Sequence, residues 1–223
     1  MGTQCIGKST FIDDFIKQWP MYKKPSRTYR DFINEQDLNI NKEGNEEAQQ
    51  VILNALVDEV MENKDGEHVI FDRCALDNLV YTLWLSNQGK VSDKFVKSTI
   101  DIARESLVFF DIIFFLPITG YSPVNIVADK NREIDPIYRD EIDVLFKTLM
   151  GAYEKQSRVF FPIENDLGCP AIIEIFGNPE ERIQLAKFYV NDNGNFFGED
   201  ESMLTPEDDA EAQLALSREV FSV

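Results

Sequence analysis

The sequence predicts an α/β domain built on a mostly parallel sheet, and three observations carry that prediction. Short apolar runs that read as strands alternate with stretches of helical period. A glycine-containing turn opens the chain directly ahead of one such helical stretch. Finally, Phe110-Asp111-Ile112-Ile113-Phe114-Phe115-Leu116 is apolar on both faces, as a strand covered on each side by helices must be, and Pro117 ends it.

Length and charge narrow the class. A chain of 223 residues suits one such domain with a sizeable core. The formal net charge of −18 opposes an open grip on a nucleic-acid backbone or an anionic membrane, because either needs a basic face. Any polyphosphate must therefore be held by a focused cluster. Cys5, Cys74 and Cys169 are far apart and form no CxxC pair, so neither a disulfide framework nor a zinc knuckle is expected. The run from Leu107 to Ile118 is too short for a membrane span and carries Asp111, and the amino terminus holds the turn rather than a signal peptide. The expected setting is cytoplasmic, with no membrane and no nucleic acid as partner; a homodimer is compatible with it.

The opening turn carries the chemistry. Gly2 through Ser9, in Met1-Gly2-Thr3-Gln4-Cys5-Ile6-Gly7-Lys8-Ser9-Thr10, match the phosphate-binding pattern G-x-x-x-x-G-K-S/T without a mismatch. The two glycines allow a backbone path along which successive N–H groups turn inward around a phosphate. Lys8 then reaches the β and γ oxygens of ATP, and the Ser9 hydroxyl is placed to ligate Mg²⁺. The helix expected from Ser9 to Trp19 stops before Pro20 and directs its positive end at the phosphates. Such a loop needs a buried strand ahead of it, and only Met1 precedes Gly2. The first strand is therefore expected to be missing from this chain, through a downstream start or a truncation, with the alternative that another segment fills the slot.

Further along, Tyr29-Arg30 suits a phosphate or base contact, with a surface pair to Asp31 as the ordinary alternative. Asn45 caps a helix through about Asn63, and Gln49 near its start reads a base edge if that end faces the cleft; otherwise it is a solvated helix residue. After the Lys64-Asp65-Gly66-Glu67 turn, His68-Val69-Ile70-Phe71 forms a short strand that ends in Asp72-Arg73. In an open α/β sheet ligands lie beyond the carboxyl ends of the strands, so Asp72 is delivered to the cleft of the phosphate loop. There it holds Mg²⁺ or accepts a hydroxyl proton, while Arg73 holds a phosphate or substrate oxygen; the alternative is a helix-capping Asp paired with that Arg.

Helices are expected from Ala75 to Leu85, from about Ser92 to Ser106, and from the charged stretch Asp129–Asp140 to about Tyr153 or Ser157. Arg132 and Arg139 in that stretch suit a closing flap over a moving phosphoryl group, with a solvated helix start as the equal alternative. Ala171–Phe176 is the last strand, and a helix follows Gly177-Asn178-Pro179, with Gly177 where an adenine ring rests. Beside cationic residues the thiols of Cys5 and Cys74 are candidates for lowered pKa, although small buried thiols are the usual case.

In its order of motifs the chain resembles the P-loop nucleoside and nucleotide kinases, and among them the nicotinamide riboside kinase-like group of AAA-type ATPase domains. The resemblance rests on the Gly2–Thr10 loop, Tyr29-Arg30, the DR-x-x-LD-x-x-x-Y run from Asp72 to Tyr81, and Arg132-Glu133-Ile134-Asp135 with Arg139. It implies a three-layer α/β/α fold with ATP and Mg²⁺ as donor. It also implies Asp72 as base or metal-side carboxylate, Arg73 near the acceptor, and Arg132 and Arg139 as lid residues. The expected site is thus Gly2, Thr3, Gln4, Cys5, Ile6, Gly7, Lys8, Ser9, Thr10 and Gly177 for the nucleotide, with Ser9 and Asp72 for the metal. Tyr29, Arg30, Gln49 and Arg73 serve the acceptor, and Lys8, Asp72, Arg132 and Arg139 serve catalysis.

The expected function is phosphoryl transfer to a small nucleoside- or nucleotide-like acceptor. The alternatives are a nucleotide-dependent switch or assembly ATPase with a protein partner, and an inactive truncated copy. The kinase-like domain is expected over 1–190, followed by an acidic tail over 191–223 with a short helix after Thr205-Pro206.

Overall fold

The computed structural model describes residues 1–26, 31, 41–120, 135–162 and 169–197. Tyr29, Arg30, Arg132 and the helix expected after Thr205 lie outside the described residues. Six α-helices are found among the described ones: α1 (Lys8–Gln18), α2 (Glu46–Asn63), α3 (Ala75–Asn87), α4 (Asp93–Ser106), α5 (Pro136–Glu154) and α6 (Pro179–Ala186). Their starts follow local chemistry. Asn45, Ser92, Asp135 and Asn178 each accept a backbone N–H of the helix they cap, and Pro136 and Pro179 occupy first turns.

Strands β1 (Ile112–Phe115) and β2 (Ala171–Glu174) pair in parallel, with Ile112 opposite Ala171 and Phe115 opposite Glu174. Because successive side chains of a strand point to opposite faces, β1 feeds two cores. Ile113 and Phe115 join Leu76, Leu79, Tyr138 and Phe146 under α3 and α5. Phe114 and Leu116 join Phe11, Phe15, Trp19 and Ile183 under α1 and α6. The result is the expected three-layer α/β/α arrangement around a parallel sheet.

Two features lie on the far side of β1 from β2. The Met1 nitrogen donates to Phe114 O at 2.6 Å, and Leu116 N donates to Met1 O at 3.0 Å, so Met1 holds the ladder position ahead of the phosphate loop. Beyond it, Lys23 and Val69 form a single parallel bridge. The strand expected at His68–Phe71 is thus reduced to one bridge, because only its Lys23 edge finds a backbone partner: Lys23 N donates to His68 O and Ile70 N to Lys23 O.

After α6 the chain turns back on itself. Val190 bridges Phe196, and the Trp19 indole and Tyr22 hydroxyl donate to the carbonyls of Asn191 and Gly194, each at 2.8 Å. Residues 191–197 are therefore pinned to the α1 layer. Among the described residues no helix is long and apolar enough to cross a membrane.

Candidate active site

The phosphate loop leaves the sheet at Met1 and enters α1 at Gly7. Gly2 has φ +144, and a Cβ there would lie 2.6 Å from the Leu116 carbonyl oxygen, so no side chain fits. Gly7 caps α1 with φ +88, and Cys5 between them is also left-handed at φ +58. The first intrahelical bond of α1 runs from Phe11 N to Gly7 O, which leaves the N–H groups of the preceding turn directed into the loop. The Lys8 ammonium is buried and curls back to donate to Gly2 O at 2.7 Å and Thr3 O at 2.6 Å, fixing the curvature of the loop.

Asp72 meets this loop from the other side. The Ser9 hydroxyl donates to Asp72 Oδ2 at 3.4 Å, joining residues 63 positions apart. This contact is longer than an ordinary O–H···O bond, and both oxygens are hard donors of the kind Mg²⁺ takes, so the pair fits a divalent cation that also binds phosphate.

Arg73 and Asp77 extend the same corner. The Arg73 guanidinium lies 3.4 Å from Asp77 Oδ1 and 5.4 Å over the Tyr81 ring. Asp77 is fully buried, and its carboxylate also accepts Gly2 N and Cys74 N, both at 3.2 Å. One carboxylate therefore ties the start of the phosphate loop to the segment that carries Asp72 and Arg73. Asp77 was legible only as a member of the DR-x-x-LD run; its reach to Gly2 has no signal in spacing. Beside it, burial first and then the Asp77 charge push the Cys74 thiol up to about 12, the reverse of the activation considered from sequence.

Arg139, in the first turn of α5, comes to the loop through its backbone: its carbonyl accepts the Thr3 hydroxyl at 3.2 Å. Its Nε is buried and lies 3.9 Å from Asp140 Oδ1. Gln49 is buried rather than solvated. Asn78 Nδ2 donates to its side-chain oxygen at 2.8 Å and its backbone oxygen at 3.1 Å, which fixes the orientation of its amide. Gly177 lies in the turn from β2 to α6, beside the reciprocal cap in which Asn178 N donates to Glu181 and Glu181 N to Asn178.

Arg182 escaped the sequence reading. From α6 its Nη1 donates to Ile6 O at 2.9 Å, it is 5% exposed, its Nε has no hydrogen-bond partner, and burial lowers its pKa. The available signal was an arginine among Ile183 and Ala186 on the buried face of a short helix. It places a cation against the back of the phosphate loop.

A glycine loop feeding a helix N-terminus at the carboxyl edge of a parallel sheet, between two helical layers, defines a P-loop nucleotide-binding fold. The chain belongs to the AAA domain family AAA_28, whose model matches residues 1–167. Among solved structures it is similar to a deoxyadenosine kinase from M. mycoides with its products dCMP and a flexible dCDP bound. The two share 16% identity at a TM-score of 0.58, covering 83% of this chain and 94% of that one. No curated protein matches the sequence.

Proposed function

We propose that the chain is an ATP-dependent kinase that transfers the γ-phosphoryl group to a small nucleoside- or nucleotide-like acceptor. The observation that carries this reading is the Ser9 hydroxyl against the Asp72 carboxylate at 3.4 Å, which joins the phosphate loop to an acid at the end of a second chain segment. Sites of this kind work mainly by positioning and charge neutralisation. The loop N–H groups and Lys8 hold the phosphates, and Ser9 and Asp72 hold Mg²⁺, which when bound offsets charge on the phosphoryl oxygens. In this reading Asp72 also takes the proton of the attacking hydroxyl. Arg73 presents a cation to the acceptor side, with Tyr29 and Arg30 as further acceptor contacts, and Arg132 and Arg139 serve as lid cations. The deoxynucleoside kinase of like fold supports a nucleoside-like acceptor.

The test is a panel of deoxynucleosides, ribonucleosides and their monophosphates with ATP and Mg²⁺, following ADP release. Release that depends on one acceptor class is expected. No acceptor-dependent turnover would sink the kinase reading, and hydrolysis that rises with a protein partner would favour a switch ATPase instead. Lys8→Ala is expected to raise the Kd for ATP by at least ~100-fold, because the buried ammonium that this reading places against the phosphates is lost. Fluorescence titration with a labelled ATP analogue measures this.

A further inference from the structure

Arg182 lies behind the phosphate loop, and the phosphoryl-transfer reading gives it no task. Its guanidinium is almost wholly buried, Nη1 donates to Ile6 O at 2.9 Å, and Nε has no hydrogen-bond partner among the described residues. None of their carboxylates forms an ion pair with it, and burial alone lowers its pKa. Burying a cation without a counter-ion costs stability, so an apolar side chain beside Ile183 and Ala186 on the buried face of α6 would be the cheaper choice.

The geometry of one peptide group shows what the arginine does there. Ile6 C=O and Gly7 N–H belong to the same trans peptide plane and point in opposite directions. With Ile6 O held toward α6, the Gly7 N–H is turned to the opposite side of the loop. The flanking backbone is left-handed at both Cys5 (φ +58) and Gly7 (φ +88), a form in which successive N–H groups make an anion-binding concavity. Gly7 has no side chain to restrict the rotation of this peptide, so its orientation is fixed from outside. A Cβ at Gly7 would lie 3.0 Å from Arg182 Nη1, so the bare position also gives the guanidinium room to approach.

We propose that Arg182 is a positioning residue of the nucleotide site: by holding Ile6 O it aims the Gly7 N–H at the phosphates, and its own charge gains a counter-ion when they bind. The proposal deepens the reading above and rests only on its nucleotide-binding part, not on the acceptor. The ligand class it fits is a polyphosphate, because a neutral nucleoside brings no negative charge to the loop.

The experiment measures the Kd for ATP with Mg²⁺ present, and the amide proton shift of Gly7 on adding ATP, in the parent chain and three variants. Arg182→Met keeps the length of the side chain and loses donor and charge, Arg182→Lys keeps one donor and the charge, and Ile183→Val trims the neighbouring core residue of α6. Arg182→Met is expected to raise the Kd by about tenfold or more, Arg182→Lys to stay within about threefold of the parent, and Ile183→Val within about twofold. The Gly7 proton is expected to move downfield in every chain except Arg182→Met. Parent-like affinity or a parent-like Gly7 shift in Arg182→Met overturns the proposal. An equal loss in Ile183→Val also overturns it, since loosening α6 is then sufficient. If Arg182→Met does not fold, Arg182→Lys decides: affinity within about threefold of the parent with the Gly7 shift retained supports the proposal, and a larger loss overturns it. A parent chain that binds no ATP sinks the nucleotide reading and the proposal together, whereas one that binds ATP but transfers to no acceptor sinks the kinase reading alone.

Discussion

Asp72→Asn is expected to leave ATP affinity within about threefold of the parent and to cut acceptor-dependent phosphoryl transfer by ~10²- to 10⁴-fold. The substitution keeps the size of the side chain and an oxygen that can accept the Ser9 hydroxyl, now 3.4 Å away. It removes the negative charge and the basicity. In the proposed mechanism most ATP affinity comes from the loop amides and Lys8, none of which depends on that charge. The proton-accepting and metal-side roles proposed for Asp72 both do. Nucleotide titration alongside initial rates of ADP release separates the two quantities. Transfer at the parent rate would remove Asp72 from the chemistry, and a Mg²⁺ requirement shifted to higher concentration with little loss at saturation would assign it to the metal alone.

The second large effect is structural and falls on a residue with no assigned chemistry. Asp77→Ala is expected to lower unfolding stability by about 2–4 kcal/mol, since the buried N–H groups of Gly2 and Cys74 lose their acceptor and Arg73 loses a carboxylate partner. Urea titration of the two chains measures it. Asp77→Asn retains one oxygen and is expected to fall between them. Because Asp77 holds the loop entrance and the Arg73 segment together, the loss should be accompanied by weaker ATP binding, which a cavity-forming change in the α3 and α5 core would not produce. A stability change below ~0.5 kcal/mol would show that the carboxylate costs as much to bury as its hydrogen bonds return.

Much of this molecule is legible from neighbours in sequence. The phosphate loop is contiguous, so its glycines, lysine and hydroxyl can be read as one unit, and the positive φ values at Gly2 and Gly7 are what that pattern requires. Helix periodicity and capping residues are local too, and Asn45, Ser92 and Asn178 act as caps where they stand. The two-faced run around Ile112–Phe115 announces a strand covered on both sides, and its side chains do divide between two cores.

For Gln49 the solvated alternative fails, because its burial depends on α3: Asn78 on that helix donates to it. The His68–Phe71 segment has the composition of a strand, yet a strand exists only through its neighbours, and one of its edges faces a cavity. Ser9 and Asp72, Gly2 and Asp77, and Ile6 and Arg182 meet across 63, 75 and 176 residues, and no spacing rule in the chain specifies those meetings.

By itself, then, the sequence determined the α/β class, the phosphate loop and an acid-base pair at the end of a strand-like segment, because each is written in residues adjacent along the chain. The tertiary structure decided which carboxylate supports the loop and which arginine backs it. Those depend on the packing of distant segments, where burial and backbone pairing are settled jointly.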